Sequence, residues 1–155
     1  MLKISFVLLI FLLSIKSLNA QTSPANNASQ FNLQKGVAIQ GYDPVSYYGD
    51  DKPVEGKKSI SLSYNGAVYF FSTAKNLEAF KKNPSKYEPA YGGWCAYAMG
   101  AKGEKVEIDP ETYKIINGKL YLFYNRFFNN TLPLWNKDEA TLKPKADQYW
   151  QQYLK

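Results

Sequence analysis

The sequence predicts an α+β fold in which a small antiparallel sheet of two hairpins is covered by short helices. Three observations predict it. Asn65–Gly66 and Asn117–Gly118 each separate two apolar-patterned runs, and a two-residue turn with positive φ at both positions is what closes such runs into a hairpin. The stretches "NGAVYFF" and "NGKLYLF" align so that Tyr69 meets Tyr121 and Phe71 meets Phe123. Each is followed by helix-forming sequence with an aromatic at its far end, Phe80 and Trp135.

The elements follow in order. The chain opens "MLKISFVLLIFLLSIKSLNAQ": a lysine, an unbroken apolar run over Phe6–Leu13, then small and polar residues. That layout predicts a secretory signal peptide over residues 1–20, cut after Ala20. The apolar run is too short to span a bilayer as a mature helix, so no stable membrane anchor is expected after cleavage. Residues 21–35, opening with the small polar stretch "QTSPANNASQ", read as a disordered lead-in to a domain over 36–155. "KGVAIQ" predicts a short strand. Asp43 is placed to cap a helical turn begun by Pro44 and ended by Gly49. After a polar loop, Ile60, Leu62 and Tyr64 alternate with serines as in a half-buried strand, and Val68–Phe71 returns. Ser72 is expected to cap a helix over Thr73–Asn83, with Ala74, Leu77 and Phe80 inward and Pro84 ending it. Gly92–Gly93 suggests a turn into a short helix, Trp94–Met99, closed by Gly100. Glu104–Pro110 is a charged connection. The second hairpin, a helical region near Trp135 and a last helix over roughly Lys145–Leu154 complete the chain. Ala146, Tyr149, Trp150 and Tyr153 form the apolar face of that last helix.

Composition narrows the function. Of the net charge of +6, Lys3 and Lys16 belong to the signal, leaving about +4. The lysines are scattered, as at Lys52, Lys57, Lys86, Lys114 and Lys143, and Arg126 is the sole arginine, so no nucleic-acid footprint is present. Export to a bacterial periplasm or beyond is expected from the signal, yet one cysteine excludes an internal disulfide. The core must then be aromatic, and 16% Phe, Trp and Tyr can build one.

The segments "GYDPVSYY", "YNGAVYFFSTAKNLEAFKKNPSKYEPAYGGWCAYA", "INGKLYLFYN" and "KADQYW" resemble the YHS-domain proteins, specifically their small exported single-domain branch, from Gly36 to about Trp150. The resemblance implies an α+β fold and a metal-related role. Metal-handling relatives look like "DPVC" and "FCSxxC". Here Ser46, Ser72 and Asn76 stand where those thiols would be, and there is no histidine. Zinc and copper need thiolate or imidazole ligands, so neither is expected to be held within one chain. The acidic run Glu104, Glu107, Asp109 and Glu111 lacks the spacing of a calcium loop and reads as solvated.

Cys95, in "YGGWCAYAMG", leaves several accounts open. It is a buried small hydrophobe beside glycines that permit close packing. Or it sits in the first turn of a helix, where the dipole lowers a thiol pKa, and acts as a redox thiol. Or it is a single ligand to a metal shared between subunits or to haem. Without histidine no Ser-His-Asp or Cys-His nucleophile can be assembled, and no phosphate-binding glycine loop is present, so an enzyme is not favoured. The expected function is a non-catalytic binding module. Its aromatic-lined cleft around Cys95, built from Tyr47, Tyr69, Tyr91, Trp94, Cys95 and Tyr97, would take a small ligand or a protein partner. The alternative is a thiol-dependent redox protein acting through Cys95.

Overall fold

The structure, a computed structural model, describes residues 27–49 and 51–155; the expected signal peptide over 1–20 lies outside them. In chain order the strands are β1 (Leu33–Gln34), β2 (Val37–Ala38), β3 (Lys57–Tyr64), β4 (Ala67–Phe71), β5 (Asp109–Ile116), β6 (Lys119–Phe123), β7 (Asn125–Arg126) and β8 (Asn129–Asn130). The helices are α1 (Ala74–Lys82), α2 (Pro84–Tyr87), α3 (Ala96–Lys102), α4 (Leu132–Lys137) and α5 (Glu139–Tyr153). No helix among the described residues is long and apolar enough to cross a membrane.

The two Asn-Gly turns organise the fold. Asn65 and Gly66 have φ of 49° and 79°, and Asn117 and Gly118 have 50° and 75°, the doubly left-handed turn whose twist matches paired strands. The hairpins they close share one register. Lys57 pairs with Phe71 and Tyr64 with Ala67; Asp109 pairs with Phe123 and Ile116 with Lys119, a constant shift of 52 positions. Both also carry an irregularity at the same place, Lys57/Ser61 in one and Asp109/Tyr113 in the other. The aromatic pattern repeats too. Phe80 of α1 packs on Tyr69 and Phe71 with ring centroids 4.8 and 5.3 Å away, and Trp135 of α4 packs on Tyr121 and Phe123 at 6.0 and 5.6 Å. The alignment of the two "NG" stretches is therefore an alignment of two equivalent hairpin-plus-helix units.

The hairpins do not share a sheet. The first lies in a four-stranded sheet ordered β1-β2-β4-β3, where β2 joins β4 in parallel through Val37 and Val68; β5-β6 and β7-β8 are separate two-stranded ribbons. Packing between β6 and its neighbours unites them. Leu120 and Leu122 point into the core around Phe71, Phe80, Cys95 and Ile108, while Tyr121 and Phe123 point into a second core with Met99, Trp135, Leu142 and Ala146. A strand buried on both faces reads as a continuous apolar run, which "KLYLF" nearly is.

Several boundaries differ from expectation. From Asn27 onward the lead-in is ordered: Asn27–Gln30 is a 3-10 turn and β1 joins the sheet. Buried Asn32 explains this, because its N–H and Nδ2 donate to the carbonyls of Gly92 and Gly93. "KGVAIQ" yields only Val37–Ala38 as strand, since Ile39 and Gln40 take φ of 50° and 53°. The cap of α1 is Thr73, whose hydroxyl accepts from Asn76 N–H, and not Ser72. Pro84 opens α2 as well as ending α1. The helix after "GGWC" is α3, and Gly103, at φ 71°, closes it. Gly100 instead lies inside α3, where an added Cβ would sit 2.6 Å from the Leu142 carbonyl oxygen of α5. Finally, α5 starts at Glu139 and carries Pro144 within it.

Candidate functional site

A cleft of about 360 Å³ opens where the two units meet. The first hairpin contributes Asn65 and Tyr69 to its walls, and the second contributes Lys119 and Tyr121. Glu88 enters just after α2, Tyr91 and Gly92 come from the turn before α3, and Asp147 and Trp150 come from α5. A volume of this size suits a small molecule.

Local backbone geometry aims these groups. Tyr69 is an inward residue of β4, paired across the ladder with Leu62. The residue is 3% exposed, and its hydroxyl, which has no hydrogen-bond partner among the described residues, opens on the cleft. Tyr91, Gly92 and Gly93 form a run of left-handed residues with φ of 53°, 60° and 86°. For a residue as bulky as tyrosine that conformation is strained. It holds because Tyr91 Oη donates to Asp147 Oδ1 at 2.8 Å. Gly92 is required on packing grounds as well: a Cβ there would lie 2.7 Å from the Phe31 ring and 2.8 Å from that of Trp150. The other oxygen of Asp147 accepts from Lys143 Nζ at 2.8 Å, which leaves Asp147 satisfied.

The charges at the polar end are desolvated. Burial raises the Glu88 carboxyl above its ordinary value, partly opposed by Lys119 and Asn65. Burial lowers the Lys119 ammonium, partly opposed by Glu88. The two attract each other but form no direct ion pair; Lys119 Nζ donates to the Ser85 carbonyl at 2.9 Å, and Asn65 Nδ2 is 3.5 Å from Glu88 Oε1. Burial also raises Tyr69, with Glu88 adding to the effect, and raises Tyr91, with Asp147 adding to it. Both phenols remain neutral donors near neutral pH.

The six residues expected to share one cleft around Cys95 are divided. Tyr69 and Tyr91 line the cleft described above. Tyr47 is buried in the core, donating to the Pro110 carbonyl at 2.8 Å with its ring edge-on to Tyr113. Trp94 donates Nε1 to the Gln30 carbonyl. Cys95 and Tyr97 border a different hollow, of about 390 Å³, beside Thr131. The physical reason is the backbone. Cys95 N–H donates to the Val106 carbonyl, and the Cys95 carbonyl accepts from Met99 N–H at the head of α3, which draws the residue into the core. Cys95 is 0% exposed; its Sγ accepts from Tyr124 N–H at 3.3 Å and lies 3.5 Å from Thr131 Oγ1.

Glu88, Lys119 and Asp147 escaped sequence reasoning. Only the hairpin alignment marks one of them: Lys119 opens β6 where Ala67 opens β4. Glu88 and Asp147 carry no such signal.

The positions that stand for thiols do converge. Asp43, 0% exposed, accepts at Oδ2 from Ser72 N–H (2.8 Å), Ser72 Oγ (2.7 Å) and Asn76 Nδ2 (2.7 Å), and at Oδ1 from Val45 N–H (2.9 Å). Ser46 Oγ donates to the Asp43 carbonyl and accepts from Val54 N–H. The 3-10 turn itself, Ser46–Tyr48, has Val45 and not Asp43 at its N-cap; Asp43 holds the Val45 N–H just ahead of it and fastens that segment to the start of α1. This donor set does not fit a soft metal ion: it has one carboxyl group, no sulfur and no imidazole, and its polar atoms are engaged with one another. Among the described residues no three His, Cys, Asp or Glu side chains gather to hold a metal.

Fold and cleft define a small α+β domain built on two aromatic hairpin units. Residues 45–91 match the family model of the YHS domain, and the chain accordingly carries a YHS domain. The match spans the first unit through Tyr91 and is shorter than the stretch from Gly36 to Trp150 over which the sequence resemblance runs. No curated protein and no solved structure matches the chain.

Proposed function

We propose that this YHS-domain protein is an exported, non-catalytic binding module that holds a small ligand in the cleft between its two hairpin units and has no thiolate metal site. One observation carries this reading. The Tyr69 side chain is buried in the cleft wall, but its hydroxyl has no hydrogen-bond partner among the described residues and opens on the cleft itself. A hydroxyl aimed into a cleft and unused by the fold is a donor and an acceptor available to a bound ligand. The strained Tyr91 and the desolvated Glu88 and Lys119 border the same space, as expected of groups kept for a ligand.

Native mass spectrometry of protein purified from its own host, compared with Tyr69→Phe, tests the reading. The wild type should retain a small molecule that the variant loses, while the ligand-free variant melts at about the same temperature because that hydroxyl makes no bond within the fold. Retention of an identical adduct by both proteins would remove Tyr69 from the site. No observation favours the thiol-redox alternative: Cys95 borders the hollow beside Thr131 but is 0% exposed, and its sulfur already accepts the Tyr124 N–H.

A further inference from the structure

The polar end of the cleft holds an acid and a base that do not meet. Glu88 and Lys119 both line it, both are partly buried, and no direct ion pair joins them. Lys119 uses one donor on the Ser85 carbonyl and keeps two. Glu88 has only the 3.5 Å approach of Asn65. Tyr69 adds a hydroxyl with both donor and acceptor capacity free. Tyr91 and Trp150 line the same cleft, with ring centroids 6.5 Å apart.

These features select among ligand types. A simple cation would satisfy Glu88 and face Lys119. A simple anion would satisfy Lys119 and face Glu88. A wholly apolar ligand would leave the Tyr69 hydroxyl unpaired and both charges desolvated without compensation. Asp147 does not tip the balance, because Tyr91 and Lys143 already occupy its two oxygens.

We infer that the cleft binds a small zwitterion with an apolar or aromatic body, a free α-amino acid being the simplest member of the class. The ammonium group pairs with Glu88, the carboxylate with Lys119 and the Tyr69 hydroxyl, and the side chain lies against Tyr91 and Trp150. The inference rests on the binding-module reading and specifies its ligand.

The test titrates the purified protein with L-phenylalanine, following backbone and indole N–H resonances by NMR. 3-Phenylpropionate, which lacks the ammonium, and phenethylamine, which lacks the carboxylate, serve as controls. L-Phenylalanine should shift the Tyr69, Tyr91 and Trp150 signals saturably, and each control should bind about tenfold more weakly or worse. Glu88→Gln and Lys119→Met should each weaken L-phenylalanine binding by a similar factor while melting as a folded protein does. Controls that bind as tightly as L-phenylalanine would overturn the zwitterion assignment and leave the cleft a binding site. Shifts confined to residues away from the cleft, or no shifts, would also overturn the assignment. The native mass spectrum of wild type against Tyr69→Phe then decides the binding-module reading separately.

Discussion

Asp43 and Cys95 show how much one buried side chain can fix. The Asp43 carboxyl group ties the Pro44–Tyr48 turn to Ser72 and Asn76, so its removal leaves several donors facing nothing. Asp43→Ala should cost about 3 kcal/mol or more, and Asp43→Asn, which keeps one acceptor oxygen, about half of that. Urea unfolding of the two variants checks the ranking; equal and small losses would show that the network contributes little. Cys95 makes the opposite kind of prediction. Its sulfur is enclosed and already accepts the Tyr124 N–H, so alkylation of the folded protein should be slow and should accelerate only when denaturant opens the structure. Rapid labelling under native conditions would restore the redox reading.

At the level of elements, the ribbon β7–β8 breaks the usual turn rule. Phe127 and Phe128 occupy its two central positions with φ of 53° and 61°, where Asn-Gly is the ordinary choice, and they are 87% and 111% exposed. Left-handed backbone costs such residues about 1–2 kcal/mol each, and no burial offsets it. Replacing them with Asn and Gly should raise stability by about 1–3 kcal/mol, read as a higher denaturant midpoint. Gly100 predicts the reverse. With a Cβ 2.6 Å from the Leu142 carbonyl, Gly100→Ala should push α3 from α5 and cost about 1–3 kcal/mol. The same contrast explains what the sequence disclosed. The two Asn-Gly hairpins and their aromatic partners Phe80 and Trp135 were legible because turn chemistry and period-2 alternation are local. The limits of α3 and α5 were not. Gly100 looks like a helix end until α5 is known to lie against it, and Pro144 looks like a helix boundary although it sits inside α5. The cleft was legible only in Tyr69 and Tyr91. Its charged members come from separate segments that meet through tertiary packing, and no local pattern joins Glu88, Lys119 and Asp147.

For the molecule as a whole, the cleft is a seam between two equivalent units, and the seam holds charges that the fold alone does not need. That has a consequence for stability against pH. Burial raises the Glu88 carboxyl in the folded protein above its unfolded value, so the folded state holds the proton more tightly. The stability from this group is fully present below the ordinary glutamate pKa of about 4.3 and is lost as pH rises through the raised folded value. Lys119 shifts the other way: its folded pKa lies below its unfolded one, so its contribution is fully present above the ordinary lysine pKa of about 10.4 and is lost as pH falls through the lowered folded value. Near pH 7 the ligand-free protein therefore carries both penalties. Glu88→Gln removes the first. The variant should gain stability over the wild type between pH 4 and pH 7, with the difference growing across that window, as read from urea midpoints at each pH. A difference that stays flat with pH would mean that Glu88 is as well solvated in the folded state as in the unfolded one, and the cleft would then lose the desolvated charge on which its selectivity depends.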